Sequence, residues 1–245
     1  MNEFAGKVVL VTGAGRGTGR SITEAFAARG ATVAANDITT INLDGVVRDI
    51  CSSGGSAKGY VYDVAKRMPV RAMVDQVVKD WGRIDVLVNS ANVEPSASIL
   101  KMDEWDWQRT LDVNLSGAFF TMQSVGRVMR EQGGGVMVNV ACISGGPDGL
   151  MYRAAYASSM MGLIGLTRTA GREFAAYNIR VNAVCPDGIE KEKTTPGSQE
   201  VGAKRDWPAD FSQVRPGQSG DVYGLVLYLC SREASSITGQ AINAR

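Results

Sequence analysis

Lys7-Val8-Val9-Leu10-Val11-Thr12-Gly13-Ala14-Gly15-Arg16-Gly17-Thr18-Gly19 is the stretch on which the fold reading turns. Its first half is a continuous apolar, β-branched run, as a strand covered on both faces requires. Its second half is rich in glycine, and an amphipathic stretch, Arg20–Arg29, follows it. Strand, glycine loop and helix in that order make a cradle for a pyrophosphate. Gly13 permits the tight turn, Gly17 lets the backbone approach the phosphates, and Gly19 lets helix and strand pack closely. The helix N-terminus then offers unpaired N–H groups to the anion. A glycine motif alone is a weak signal, and the competing reading is a turn without a ligand. Directly after a strand, 12 residues into the chain, it is a strong one.

Beyond this unit, apolar β-branched runs alternate with helical patterns. Strands are expected at Lys7–Thr12, Thr32–Asn36, Lys58–Tyr62, Ile84–Asn89, Val136–Ala141, Ile179–Val184 and Gln240–Asn243. Helices are expected at Arg20–Arg29, Leu43–Ser52, Pro69–Trp81, Trp105–Gln132, Ala154–Tyr177 and Asp221–Cys230. Strands joined by helix-length crossovers mean βαβ units and a parallel sheet, so the fold class is α/β, doubly wound, with seven strands and helices on both faces. The segment Asp187–Gly217 breaks the regularity. It is polar, holds Pro196, Pro208 and Pro216, and follows a strand's C-terminal end, where open α/β sheets bind ligands. A substrate lid over 187–217 is the expectation, and idle disorder the alternative.

Composition narrows the chemistry. The 245 residues carry 26 Lys+Arg against 25 Asp+Glu, a net charge of +1, and no histidine. The missing histidines exclude a Ser-His-Asp triad, a Cys-His pair and histidine-ligated zinc, and no metal site is expected. The near-neutral balance argues against a dedicated nucleic-acid binder. Mean hydropathy is −0.06, and no apolar run reaches the ~18 residues of a membrane helix. Met1 to Gly6 lacks the pattern of a signal peptide. Cys51, Cys142, Cys185 and Cys230 are too few and too scattered for a disulfide scaffold, so free thiols and a cytoplasmic location are expected.

Asp37 lies 24 residues past Gly13, after the second strand. An acidic side chain there accepts hydrogen bonds from both adenosine ribose hydroxyls and repels a 2′-phosphate, which favours NAD(H) over NADP(H). Its bland alternative is a turn or helix-cap aspartate. Asp63-Val64, at the end of the third strand, is placed to grip an adenine.

With these motifs in place, the sequence resembles the short-chain dehydrogenase/reductase family, in its bacterial β-ketoacyl reductase-like branch, nearly end to end. Thr12–Gly19 fits the TGxxxGxG motif, and Asn89-Ser90-Ala91-Asn92 resembles the NNAG motif. Asn114, within Leu111-Asp112-Val113-Asn114, matches the catalytic asparagine, and Tyr156 falls at the catalytic tyrosine. Ile179–Pro186 resembles the stretch that ends in Pro-Gly, and Ser236–Gln240 resembles the C-terminal ITGQ stretch. The resemblance implies a single-domain Rossmann fold over 1–245. It implies a cofactor held by Gly13, Gly15, Arg16, Gly17, Thr18, Gly19, Asp37, Ile38, Asp63, Val64, Asn89, Ser90, Ala91, Tyr156, Pro186 and Ile189. It also implies a homodimer or homotetramer built on the two long helices.

Departures from the family pattern bear on catalysis. The family serine position holds Cys142, with Ser144 two residues on, and the family lysine position, four residues after the tyrosine, holds Met160. Asp187 stands for the glycine after Pro186, and Lys191 for a threonine near the nicotinamide. In the family mechanism the tyrosine exchanges the substrate oxygen's proton, while the lysine lowers the tyrosine pKa and binds the nicotinamide ribose. An unperturbed tyrosine titrates near ~10, so about one in a thousand is phenolate at pH 7, a penalty of roughly 4 kcal/mol. Arg153, one helical turn before Tyr156, is either a substitute cation or an exposed arginine. Cys142 is a weak donor, a nucleophile without an evident activator, or a small packing residue.

Three functions remain open. The first is an NAD(H)-dependent oxidoreductase of a small or medium carbonyl or alcohol, using Tyr156 and Asn114. The second is a catalytically silent dinucleotide-binding homologue that serves as a regulatory or partner subunit. The third is a non-redox lyase or isomerase using Tyr156. Val93, Met102, Trp105, Met151 and Tyr152, closed over by Trp207 and Phe211, are expected either to line an apolar substrate pocket or simply to pack.

Overall fold

The structure is a computed structural model and describes residues 2–142, 151–186 and 219–244. Seven strands form one sheet, parallel throughout: β1 (Val8–Thr12), β2 (Thr32–Asp37), β3 (Ser56–Val61), β4 (Val86–Asn89), β5 (Gly135–Val140), β6 (Ile179–Pro186) and β7 (Ala241–Ala244). Their order is β3-β2-β1-β4-β5-β6-β7. The helices are α1 (Gly17–Ala27), α2 (Thr40–Ser52), α3 (Arg67–Trp81), α4 (Glu104–Leu111), α5 (Gly117–Glu131), α6 (Ala154–Glu173) and α7 (Ser219–Cys230).

Alternation along each strand explains the two layers of helix. In β1, Val9 and Val11 point to the face covered by Ile22 and Phe26 of α1, Leu43 and Val46 of α2, and Val226 of α7. Val8 and Leu10 point to the other face, against Met73 and Val77 of α3 and Met122 and Met129 of α5. Both faces of the sheet are therefore dry, and the apolar runs read from the sequence follow from that.

Sheet order reverses direction at β1, whose neighbours are β2 on one side and β4 on the other. The C-terminal ends of β1 and β4 lie at this switch point, where open α/β sheets bind ligands. Thr12 ties the two loop starts together: its Oγ1 accepts from the Ser90 N–H at 3.1 Å and the Ala91 N–H at 3.2 Å.

Element positions differ from the sequence expectation mainly at boundaries. Helix α1 begins inside the glycine loop, three residues before Arg20. Asp37 is the last residue of β2 rather than the first of the following turn. The single helix expected over Trp105–Gln132 is instead α4 and α5 joined by a π-helical turn, Asp112–Ser116. The helix expected over Ala154–Tyr177 ends at Glu173 and tightens into a 3-10 turn, Phe174–Tyr177. No described helix is long and apolar enough to cross a membrane. The cysteines are free thiols. The expected lid, 187–217, lies outside the described residues.

Candidate active site

The glycine loop has the close approaches that its composition suggests. Gly13 has φ +66, and a Cβ there would sit 2.7 Å from the Ala91 Cα. A Cβ on Gly19 would run into the Gly13 carbonyl. Around Gly17, at φ +52, a Cβ would meet nothing within 4 Å, so the loop's outer side is open. The Arg16 side chain is exposed, Thr18 is half-buried, and the first turn of α1 carries no acidic residue to compensate its N–H groups.

Asp37 is fixed against this loop. Its Oδ2 accepts from the Gly15 N–H at 2.9 Å and its Oδ1 from the Ile38 N–H at 2.7 Å, while the Ile38 side chain is 52% exposed. Asp63 is likewise anchored: Arg109 Nη1 donates to Oδ2 at 3.1 Å, Nη2 to Oδ1 at 3.4 Å, and the Ala65 N–H to Oδ1 at 3.0 Å. Val64 beside it is buried against Val70 and Val113. Loop, Asp37, Asp63 and the Ser90-Ala91 turn all lie at the C-terminal ends of β1 to β4, where a parallel α/β sheet takes a dinucleotide. Asn89 differs from the rest. Its amide is consumed internally, donating to Asn139 Oδ1 at 2.9 Å and accepting from Thr121 Oγ1 at 2.7 Å. Asn139 in turn donates to Thr167 Oγ1 at 2.9 Å. This buried chain ties β4, β5, α5 and α6 together beneath these strand ends.

Tyr156 lies in the first turn of α6 and is 7% exposed. Burial pushes its phenol far above the usual tyrosine range, and the nearby Cys142 and Glu94 push the same way, with Arg153 a smaller opposing influence. Cys142, just past β5, donates its thiol to the Pro186 carbonyl at 3.3 Å. That bond crosses to the end of β6. Cys185 alongside is buried, and its thiol is pushed up to about 11 by burial.

Asn114 is held in the π turn. Its Oδ1 accepts from the Val93 N–H at 2.8 Å, and its Nδ2 donates to the Val93 carbonyl at 3.0 Å and to Ser159 Oγ at 3.0 Å. Met160, one turn beyond Tyr156, is 2% exposed. With Asn114, Asn89 and Thr12 it borders a cavity of about 10 Å³, room for about one water molecule. Arg153 is half-buried rather than fully exposed, and its charge still acts weakly on Tyr156. Its Nη1 lies 2.6 Å from Glu94 Oε1 in an ion pair, with side chains 32% and 16% exposed.

Of the expected apolar pocket, Trp105 is 71% exposed, Met151 51% and Tyr152 48%, while Val93 and Met102 are half-buried. Ser144, Asp187, Ile189, Lys191, Trp207 and Phe211 lie outside the described residues. Sequence reasoning missed Glu94, Arg109 and Ser159. Glu94 had a readable signal, a charged residue on the loop directly after a strand's C-terminal Asn-Ser-Ala-Asn.

The family model described as enoyl-(acyl carrier protein) reductase matches residues 13–244. A 3-oxoacyl-[acyl-carrier-protein] reductase of Thermotoga maritima is 40% identical, covering 98% of this chain and 96% of its own. The chain belongs to the short-chain dehydrogenase/reductase family. Solved structures agree. An NAD+-bound xylitol dehydrogenase superposes with a TM-score of 0.86 at 32% identity, covering 98% of each chain. A hydroxysteroid dehydrogenase from Escherichia coli gives 0.84 at 28%, covering 99% of this chain and 96% of its own. Short-chain dehydrogenases/reductases are oxidoreductases that bind a nicotinamide dinucleotide, and the strand ends described above have the residues to hold one.

Proposed function

We propose that the chain is an NAD(H)-dependent oxidoreductase of a small or medium carbonyl or alcohol, with Tyr156 as the proton donor and acceptor. The observation that carries the cofactor choice is the Asp37 carboxylate, pinned by the Gly15 and Ile38 N–H groups at the edge of the glycine loop. A fixed negative charge there accepts from ribose hydroxyls and repels a 2′-phosphate. The nicotinamide, when bound, supplies the hydride exchange.

This chain's residues do the rest. The loop from Gly13 to Gly19 and the N-terminus of α1 bind the pyrophosphate. Asp63, braced by Arg109, and the Val64 backbone border the adenine position. Asn114 fixes the Val93 backbone beside the reacting centre. The Tyr156 hydroxyl gives its proton to a carbonyl oxygen in reduction or takes one from an alcohol in oxidation. Its raised pKa keeps it protonated at neutral pH, the form that carbonyl reduction needs, and makes that phenol a weaker acid. Cys142 stands where a serine would orient the substrate oxygen, with a weaker donor.

A second reading has one observation in its favour: Met160 fills the place of the cation that would ease proton transfer. On that reading the chain binds dinucleotide without turnover, as a regulatory or partner subunit. Fluorescence titration with NADH and NADPH, followed by NADH consumption on a carbonyl panel, separates the two. Tight NADH binding with consumption abolished by Tyr156→Phe supports the oxidoreductase. Tight binding without consumption supports the silent subunit, and no binding of either nucleotide sinks the cofactor assignment.

A further inference from the structure

The first turn of α6, which carries Tyr156, is held from two sides by the loop after β4. On one side Asn114 grips both the N–H and the carbonyl of Val93 and donates to Ser159 Oγ, which donates in turn to the Tyr156 carbonyl at 2.7 Å. On the other side the next loop residue, Glu94, meets Arg153 at 2.6 Å. The backbones join there as well: the Ala97 N–H donates to the Tyr152 carbonyl at 2.8 Å, and Ala97 pairs with Arg153 in a parallel bridge. Tyr152 has φ +61, a left-handed conformation that favours glycine, so the contacts around it have to hold it in place.

Arg153 lies one turn before Tyr156, and its carbonyl already accepts from the Ala157 N–H at 2.8 Å, so the two side chains are neighbours on the helix. Among the described residues, the titratable groups around the Tyr156 hydroxyl are the Cys142 thiol just past β5, Cys185 near the end of β6, Glu94 from the loop after β4 and Arg153 on its own helix. Burial is the main reason that the phenol keeps its proton. Cys142 and Glu94 act in the same direction, and Arg153 opposes them. The two members of the ion pair therefore pull Tyr156 in opposite directions.

We propose that Glu94 is a positioning residue for proton transfer at Tyr156: by holding Arg153 in a pair, it keeps that cation from supporting a phenolate in the way that Met160 cannot. This rests on the reading of Tyr156 as the reacting group. Two single variants separate the role from that of a simple clasp. Glu94→Gln removes the negative charge and leaves Arg153 unopposed, so phenolate becomes easier to form. Arg153→Gln leaves Glu94 unopposed and does the reverse. Each shift is expected to be on the order of one pH unit, or about tenfold in oxidation rate at a fixed pH on the rising limb.

The pH dependence of NAD+-driven oxidation across an alcohol panel gives the kinetic limb. Ionisation is read without turnover by placing tetrafluorotyrosine, an acidified phenol that titrates in the working pH range, at position 156 and following it by fluorine NMR. Both readouts are expected to move to lower pH in Glu94→Gln and to higher pH in Arg153→Gln. The fluorine midpoint of the double variant is expected to return toward that of the parent. Single variants that move alike, or not at all, overturn the proposal. If Arg153→Gln alone does not fold, the double variant decides: a shift caused by the freed cation disappears with the cation, while one caused by loosening remains and overturns the proposal. If the fluorine midpoints separate as expected but no alcohol is oxidised, the oxidoreductase reading fails and the coupling stands. If oxidation occurs and Tyr156→Phe abolishes it, yet the midpoints coincide, this inference fails and the oxidoreductase reading stands.

Discussion

Replacing Met160 with lysine places a cation one helical turn beyond Tyr156. Met160 is 2% exposed, and it borders the small cavity shared with Asn114, Asn89 and Thr12. The new ammonium therefore meets polar side chains. Side chains four residues apart on a helix lie about 6 Å from each other. At that distance and an effective dielectric near 20, opposite unit charges attract by about 3 kcal/mol. That corresponds to about two pKa units, or roughly a hundredfold more phenolate at a given pH. Burial also draws the lysine's own pKa down, so the gain fades once the lysine loses its proton at high pH. The assay is the pH profile of NAD+-dependent alcohol oxidation for both proteins, with Tyr156→Phe in each background as control. The rising limb is expected to move about two pH units lower in Met160→Lys, with a higher kcat at neutral pH. A limb that stays put while NADH still binds would refute the placement of Met160 beside the proton-transfer path.

Asp37→Ala removes the carboxylate expected to exclude a 2′-phosphate. Fluorescence titration should show the NADH-over-NADPH preference falling by about tenfold or more, and an unchanged ratio would discard Asp37 as the selector. Asn114→Ala deletes three hydrogen bonds to Val93 and Ser159 in a buried setting. A loss of about 3 kcal/mol follows, seen as a Tm lower by roughly 6–12 °C for a chain of this size; a shift under about 2 °C would contradict it. Asp85 is buried, which pulls its carboxyl up, but hydrogen bonds from Arg83, the Val8 N–H and Lys7 outweigh this and hold it below the usual carboxylate range. A depressed carboxylate stabilises above its unfolded pKa of about 3.9, and that stability is lost as pH falls through the folded value. Urea unfolding should thus show Asp85→Asn weaker than the parent at pH 7, with the gap closing in acid. A gap of constant size would deny the linkage.

The sheet was legible because its strands are dry on both faces, and runs such as Val8-Val9-Leu10-Val11 have no other use. The glycine loop was legible because Gly13 needs a positive φ and a close approach to Ala91 that no side chain permits. The break between α4 and α5 was not. Helix-forming residues run through Leu111–Leu115, and the one glycine at the turn, Gly117, follows it as the first residue of α5 and reads equally well as a helix interior position. The Glu94–Arg153 pair was hidden for a different reason. Its partners are 59 positions apart in the chain, and they meet where the loop after β4 pairs with the start of α6 through Ala97, Tyr152 and Arg153. Arg153 viewed along its own helix looked like a cation near Tyr156, and the carboxylate that claims it comes from another loop.

The π turn at Asp112–Ser116 also bears on how this site could be lost or kept as the sequence drifts. An α-helix advances about 100° per residue, so one residue more or fewer between α4 and α5 turns everything beyond it by over a quarter of a revolution. Asn114 would swing away from Val93 and Ser159 with no change in its own identity. What holds that amide in place is a tally of residues as much as any one of them. A single-codon deletion in this turn would be as damaging as losing the asparagine, while many substitutions around it, with the count preserved, would pass unnoticed.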